Sequence, residues 1–133
     1  MSEYSNDELA AIYELGRLYF EMGYFAPAER IFGGLSSVDD ARTPARIGLG
    51  LVKLERGLYQ EAATHFRLAL QSGSFELQAK LGLCASFIAA GELGRAQSIL
   101  GEISKSLENG QDLEAEEKRL FEALILRTRK KST

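Results

Sequence analysis

One histidine and one cysteine stand among 133 residues, and with 19 carboxylates they are the side chains from which catalysis or metal binding would have to be built. Nucleophilic catalysis needs a base held beside a hydroxyl or thiol and oriented by a third group. No Ser-His-Asp or Cys-His arrangement can be assembled around His65. A metal site needs several converging ligands, and Cys84 has none in view, so it reads as a small packing residue. The carboxylates fall at helix-surface and cap positions, a pattern that solvated faces produce without any chemistry. The glycines recur at a fixed distance with no strand before them, so no phosphate-binding loop is implied. These residues predict a non-enzymatic protein with no cofactor and no metal.

Bulk properties narrow the partners. The length suits one domain with a buried core. A composition of 45% hydrophobic and 26% charged residues is that of an ordinary globular chain. A net charge of -3 supplies no attraction to nucleic acid or to an anionic membrane surface. No apolar run approaches the roughly 20 residues of a membrane span, and no signal peptide is evident. A lone cysteine cannot close an intramolecular disulfide, which fits a reducing compartment, so the expected location is cytoplasmic.

The elements that organise these residues repeat. Leu49, Gly50, Lys53, Gly57, Ala62, Phe66 and Ala69 map, 34 residues earlier, onto Leu15, Gly16, Tyr19, Gly23, Ala28, Phe32 and Leu35. The same step forward gives Leu83, Cys84, Phe87, Gly91, Ala96, Leu100 and Ile103, without insertion or deletion. A fixed period of this length, with a small residue, a Gly and an Ala in constant slots, resembles the tetratricopeptide repeat, a helix-turn-helix unit. The predicted fold is all-α, a right-handed solenoid of three helix pairs over residues 9–42, 43–76 and 77–110. A short tail (1–8) precedes it, and a C-terminal capping helix with a basic end (111–133) follows.

Local punctuation supports these boundaries. Ser5 and Glu8 form a capping box, and Pro27 is tolerated in the first turn of the second helix. Thr43-Pro44, Ser74 and Asp112 are expected to cap later helices. Gly23, Gly57 and Gly91 break the first helix of each pair, and Ser72-Gly73 and Asn109-Gly110 end the second. Gly16, Gly50 and Cys84 are placed opposite Ala28, Ala62 and Ala96 so that paired helices approach closely. Phe32, Phe66 and Leu100 fill the wedge between one pair and the next. Ala10, Tyr13, Arg17 and Phe20 lie on one face of the first helix, and Ile12, Leu15, Gly16 and Tyr19 on a second, which predicts a sandwiched helix. In the last helix Glu117 and Lys118 break the repeat register, so it is read as a cap in which Leu113, Leu120, Phe121 and Leu124 cover the stack. Arg127, Arg129, Lys130 and Lys131 suit a helix C-terminus and lack the interleaved aromatics of a nucleic-acid surface.

The repeat resemblance implies a concave groove lined by the first helix of each pair. Its groove slots fall on Ala10, Tyr13, Arg17, Phe20 and Glu21; on Pro44, Ile47, Leu51, Leu54 and Glu55; and on Gln78, Leu81, Ala85, Ile88 and Ala89. Tyr13, Phe20, Ile47, Leu51, Leu54, Leu81 and Ile88 would form an uncovered apolar strip, a usual mark of an interaction site. Arg17, Glu21 and Glu55 would add polar contacts. The second helices send Glu29, Arg30, Glu61, Thr64, Arg67, Arg95 and Gln97 outward, a solvated convex face. Tyr13 and Arg17 stand where the repeats that grip acidic chaperone tails place Lys and Asn, which argues against that partner.

From Ala45 onwards the strings IGLGLVKLERGLYQEAATHFRLAL and KLGLCASFIAAGELGRAQSIL resemble the second and third repeats of type III secretion chaperones of the translocator class. The order of elements matches over about residues 9 to 128. The resemblance implies a bacterial cytoplasmic chaperone whose groove takes an extended apolar segment of a secreted protein. Family members usually carry an N-terminal helical extension involved in dimerisation, whereas some eight residues precede the first repeat here, so oligomeric state is not carried over. In outline the chain is also similar to the needle-subunit chaperones, which pair with a small helical co-chaperone. The competing expectation is a constitutive scaffold or adaptor subunit of a larger assembly.

Overall fold

The computed structural model describes the backbone of residues 4–132 and the side chains of 4–129. The expected tail at 1–3 and the side chains of Lys130 and Lys131 lie outside the described residues. The elements run α1 (Asn6–Glu21), α2 (Phe25–Leu35), a 3-10 turn (Asp39–Ala41), α3 (Arg42–Glu55), α4 (Tyr59–Leu70), α5 (Glu76–Ala89), α6 (Leu93–Glu108) and α7 (Ala115–Ser132). No strand occurs among the described residues. Neighbouring helices pack as the hairpins α1/α2, α3/α4 and α5/α6, and the hairpins stack through α2 on α3 and α4 on α5. The fold is therefore all-α, three stacked hairpins followed by α7.

The period is written into the helix ends. α1, α3 and α5 each stop one residue before a C-cap that is followed by Gly23, Gly57 and Gly91, all left-handed with φ of 83°, 79° and 81°. A side chain at that φ is strained, so glycine is required at the turn. The next N–H then reaches back over five residues in all three copies: Tyr24 to the Tyr19 carbonyl (2.8 Å), Leu58 to Lys53 (2.9 Å) and Glu92 to Phe87 (2.8 Å). This double-bonded exit fixes the direction in which α2, α4 and α6 depart.

The starts are less regular. The capping box opens α1 as expected, with the Glu8 N–H donating to Ser5 Oγ (3.1 Å) and the Ser5 N–H to Glu8 Oε1 (3.0 Å). Pro27 sits in the first turn of α2. Thr43 does not cap α3: the 3-10 turn brings the chain into helical geometry a residue earlier, and Arg42 leads the helix while bonding Asp39 and the Ser36 carbonyl. Ser74 does not cap α5 either, because Phe75 takes that position with a left-handed backbone. Asp112 accepts the Leu113 N–H (2.9 Å) and pairs with Lys118 (3.2 Å), while the start of α7 is held by the Glu114 N–H donating to Glu117 (2.9 Å).

Packing between hairpins rests on two phenylalanine rings, each lying between two glycines. A Cβ added at Gly16 would stand 2.8 Å from the Phe32 ring, and one at Gly48 would also stand 2.8 Å from it. Phe66 has the same relation to Gly50, at 2.6 Å, and more tightly to Gly82. Both rings are fully buried. In the third hairpin Leu100 and Cys84 replace the aromatic ring and its glycine, and the Cys84 thiol lies against the Ala96 carbonyl at 3.7 Å. Cys84 thus meets Ala96 as read from the sequence, whereas the nearest neighbours of Gly16 and Gly50 are the Phe32 and Phe66 rings instead of the expected Ala28 and Ala62. Gly48 and Gly82 are a second set, receiving the ring of the preceding hairpin.

Outward from this core, one slot of the repeat carries two chemistries. Lys53 of α3 bridges the hairpins by pairing with Glu29 of α2 (2.8 Å) and approaching Glu61 of α4 (3.7 Å). The Lys53 ammonium holds the Glu29 carboxyl below its ordinary range. One period later the slot is Phe87, whose ring is approached by the guanidinium groups of Arg67 and Arg95 at 5.6 and 5.7 Å from its centre.

The last helix departs from the expected packing in one residue. Leu113 and Leu124 are buried, with Phe121 and Ile125 packed beside them, but Leu120, one turn before Leu124, stands at the margin of this face and is exposed. α1 also departs: Leu15 is exposed, so the helix is covered on one side and open on the other.

Glycines predict opposite responses to the same substitution. Gly82→Ala should destabilise the chain by about 1–3 kcal/mol, because the buried Phe66 ring cannot retreat. Gly101→Ala, in the interior of α6 with open space around its Cβ, should stabilise by about 0.5–1 kcal/mol. Urea unfolding followed by circular dichroism checks both signs.

Candidate protein-binding groove

α1, α3 and α5 present their groove slots to one side of the stack, and the N-terminal halves of these helices open a cavity of about 840 Å³. Leu9, Ala10, Tyr13, Pro44 and Ile47 contribute its apolar wall. Arg17, Asp40 and Gln78 add polar groups, Phe75 stands on one side, and Glu114 and Glu117 reach in from the start of α7. Ala10, Tyr13, Arg17, Pro44, Ile47 and Gln78 were all groove slots in the sequence, so the repeat register places six of the lining residues. Tyr13 is anchored by its ring packing against Phe32 at 5.6 Å, and burial pushes its phenol above the ordinary value, leaving a protonated donor at the wall. Arg17 is already held by carboxylates of its own helix, Glu21 at 3.0 Å and Glu14 at 3.4 Å.

The rest of the anticipated strip is not an open surface. Leu51 is exposed at 36%, Phe20 and Leu54 are half-buried, and Leu81 and Ile88 are buried at 3% and 2%. Phe20 packs on Phe25, with ring centroids 5.8 Å apart. Leu81 and Ile88 share one buried cluster with Leu113 and Leu124, and Ala85 packs against it. The physical reason is that α5 is apolar nearly all round and is enclosed by α4, α6 and α7, as such a helix must be. Glu55 and Ala89 are exposed near the ends of α3 and α5, away from the cavity wall.

Phe75 was not among the sequence candidates. It is the one non-glycine with positive φ (56°) among the described residues, and its side chain is 52% exposed beside the cavity. A bulky residue in the left-handed region is strained, and such strain concentrates at binding sites. The available signal was the period, since Phe75 stands one step after the small Ala41. Asp40, Glu114 and Glu117 also went unread, because they come from the turn before α3 and the approach of α7, which no repeat register specifies.

Neither chemically versatile side chain faces this cavity. Burial pushes the Cys84 thiol up to about 12, leaving no thiolate near neutrality. His65 on α4 is half-buried and lines no part of the cavity, and burial, followed by the nearby Lys53, lowers its pKa from 6.5. No group of three His, Cys, Asp or Glu converges on a metal-sized site among the described residues, and no helix there is long and apolar enough to cross a membrane.

Solved structures share this architecture. The type III secretion translocator chaperone SycD of Yersinia enterocolitica superposes with a TM-score of 0.79 at 22% identity, over 98% of this chain and 90% of that one. PcrH from Pseudomonas aeruginosa gives the same TM-score at 21% identity, over 98% and 96%. At that identity the likeness is one of fold. No protein-family model matches the chain, and no curated protein matches it either.

Two measurements follow from the placement of His65 and Cys84. The folded chain takes up the His65 proton less readily than the unfolded chain, so its contribution to stability is complete above pH 6.5 and declines as pH falls below that value. His65→Gln should flatten the stability profile on that side, read from urea midpoints across mildly acidic pH. Cys84 should resist alkylation by iodoacetamide in buffer and react fully once urea unfolds the chain.

Proposed function

We propose that the chain is a non-enzymatic, protein-binding chaperone of a cytoplasmic type III secretion client, a translocator or needle subunit, whose apolar segment it holds in the concave groove. The observation that carries this reading is the cavity itself. Its size suits several side chains of an extended segment, its wall is apolar, and an exposed aromatic ring is kept beside it at the expense of backbone strain. The likeness in fold to a translocator chaperone supports the client class. The groove residues we assign are Tyr13, Arg17 and Ile47 in the cavity and Phe20, Glu21, Leu51, Leu54 and Glu55 along its continuation. Leu81, Ala85 and Ile88 act from beneath, by holding α5 in place. Each side chain buried in the wall would contribute about 1.5–3 kcal/mol before ordering costs.

Three variants test this. Ala10→Arg fills the cavity from an exposed position, and Leu51→Arg places a charge on the continuation, so both should fold. Phe75→Gly should relieve the backbone while removing the ring. The expected result is that an export substrate, insoluble when produced alone, co-purifies with the wild type and is lost with all three variants, while helical content is retained. Phe75→Gly should unfold no earlier than the wild type. Retention of the same soluble subunits by wild type and variants alike would sink the chaperone reading and favour a scaffold.

A further inference from the structure

The repeat makes one unfilled position visible. Leu15 and Leu18 of α1 are 45% and 53% exposed. One period on, the same slots hold Leu49 and Val52, at 8% and 0%, and after another they hold Leu83 and Ser86, at 4% and 1%. Ala11 is likewise exposed, while Ala45 and Ala79 are fully buried. In α3 and α5 this face is covered by the second helix of the preceding hairpin, α2 and α4 respectively. α1 has no such neighbour among the described residues, although α7 covers the other end of the stack. Ala11, Leu15, Leu18 and Met22 follow spacings of four, three and four, the seam of one helix lying along another.

The same comparison limits what can lie there. The slot that receives the Phe32 ring on α3 and the Phe66 ring on α5 is a glycine, Gly48 or Gly82. On α1 that slot is Glu14. A helix carrying an aromatic wedge like that of α2 would drive its ring into a carboxylate-bearing side chain. The ionised residues of α1 are Asp7, Glu8, Glu14 and Glu21 against Arg17, and Arg17 is shared between Glu14 and Glu21. A second copy of α1 would bring acid against acid across the seam.

We propose that the outer face of α1 docks one amphipathic helix of another polypeptide, aliphatic along its seam and basic along its flanks, with a Lys or Arg opposite Glu14. This surface is separate from the groove and does not depend on the client reading. The helix would stand on α1 as α2 stands on α3, giving the first hairpin the cover that the later ones have.

The test uses the whole chain and a fluorescein-labelled synthetic helix of about three heptads, with Leu and Ala on the seam and Lys on the flanks, beside a twin with Glu on the flanks. The expected result is saturable binding of the Lys-flanked helix by anisotropy. Leu18→Lys or Met22→Lys should weaken it about tenfold or more. Glu14→Lys should shift the preference to the Glu-flanked twin, and Ala10→Arg in the groove should leave the affinity unchanged. Leu18 and Met22 are exposed, and unchanged helical signal verifies that both variants fold. Equal binding of the two helices, indifference to Leu18→Lys and Met22→Lys, or loss with Ala10→Arg would overturn the proposal. So would a chain that is dimeric by light scattering and becomes monomeric with Leu18→Lys, since a second copy would then own the face.

Discussion

A phenylalanine ring flattened between two glycines is the constraint on which the stack depends. Phe32 and Phe66 each tie the helix that carries them to the helix before and to the helix after, and both contacts are too close to admit a Cβ. Remove the glycines and the helices must separate; remove the ring and an internal void opens in their place. The close approach of α2 to α1 and α3, and of α4 to α3 and α5, rests on these contacts. The left-handed glycines at the exits of α1, α3 and α5 then repeat the same geometry, so that one hairpin's solution serves all three.

The groove draws on this regularity and also on two breaks from it. Its wall is built from slots that the period supplies, Ala10, Tyr13, Pro44, Ile47 and Gln78. Its other side comes from Phe75, in a backbone conformation that a bulky residue rarely adopts, and from the acidic start of α7. The regular part provides an apolar surface. The irregular part narrows it and gives it a charged margin, because Asp40, Glu114 and Glu117 outnumber the one cation, Arg17, which is already paired. α7 has a second effect: with it, the third hairpin's concave side chains pass into the core, and the usable groove shifts towards the N-terminal halves of α1, α3 and α5.

The two ends of the stack are consequently unlike. At one end α7 buries Leu113 and Leu124 against the third hairpin. At the other, α1 retains aliphatic residues in slots that are core elsewhere, with a glutamate where the later repeats have glycine. Internal repeats are informative here because each copy is a control for the others: a residue exposed in one and buried in two marks a face that the described elements leave uncovered in the first.

By itself the sequence determined the period, the hairpin exits, the small-residue slots at Gly16, Gly50 and Cys84, and the wedge role of Phe32 and Phe66. All of these are local or repeat at fixed spacing, so one chain carries three readings of each. The repeat resemblance also implied a set of groove slots, six of which line the cavity. Only the tertiary structure decided which of those slots remain accessible. Leu54 and Ile88 occupy the same slot one period apart, yet Ile88 is core and Leu54 only half-buried, because α7 packs on α5. The start of α5 at Phe75 and the start of α7 at Ala115 were likewise beyond the sequence, since neither follows from a cap residue or from the period. Both are set by how the chain must turn to bring a packed helix to its neighbour, and that is a property of the assembled stack.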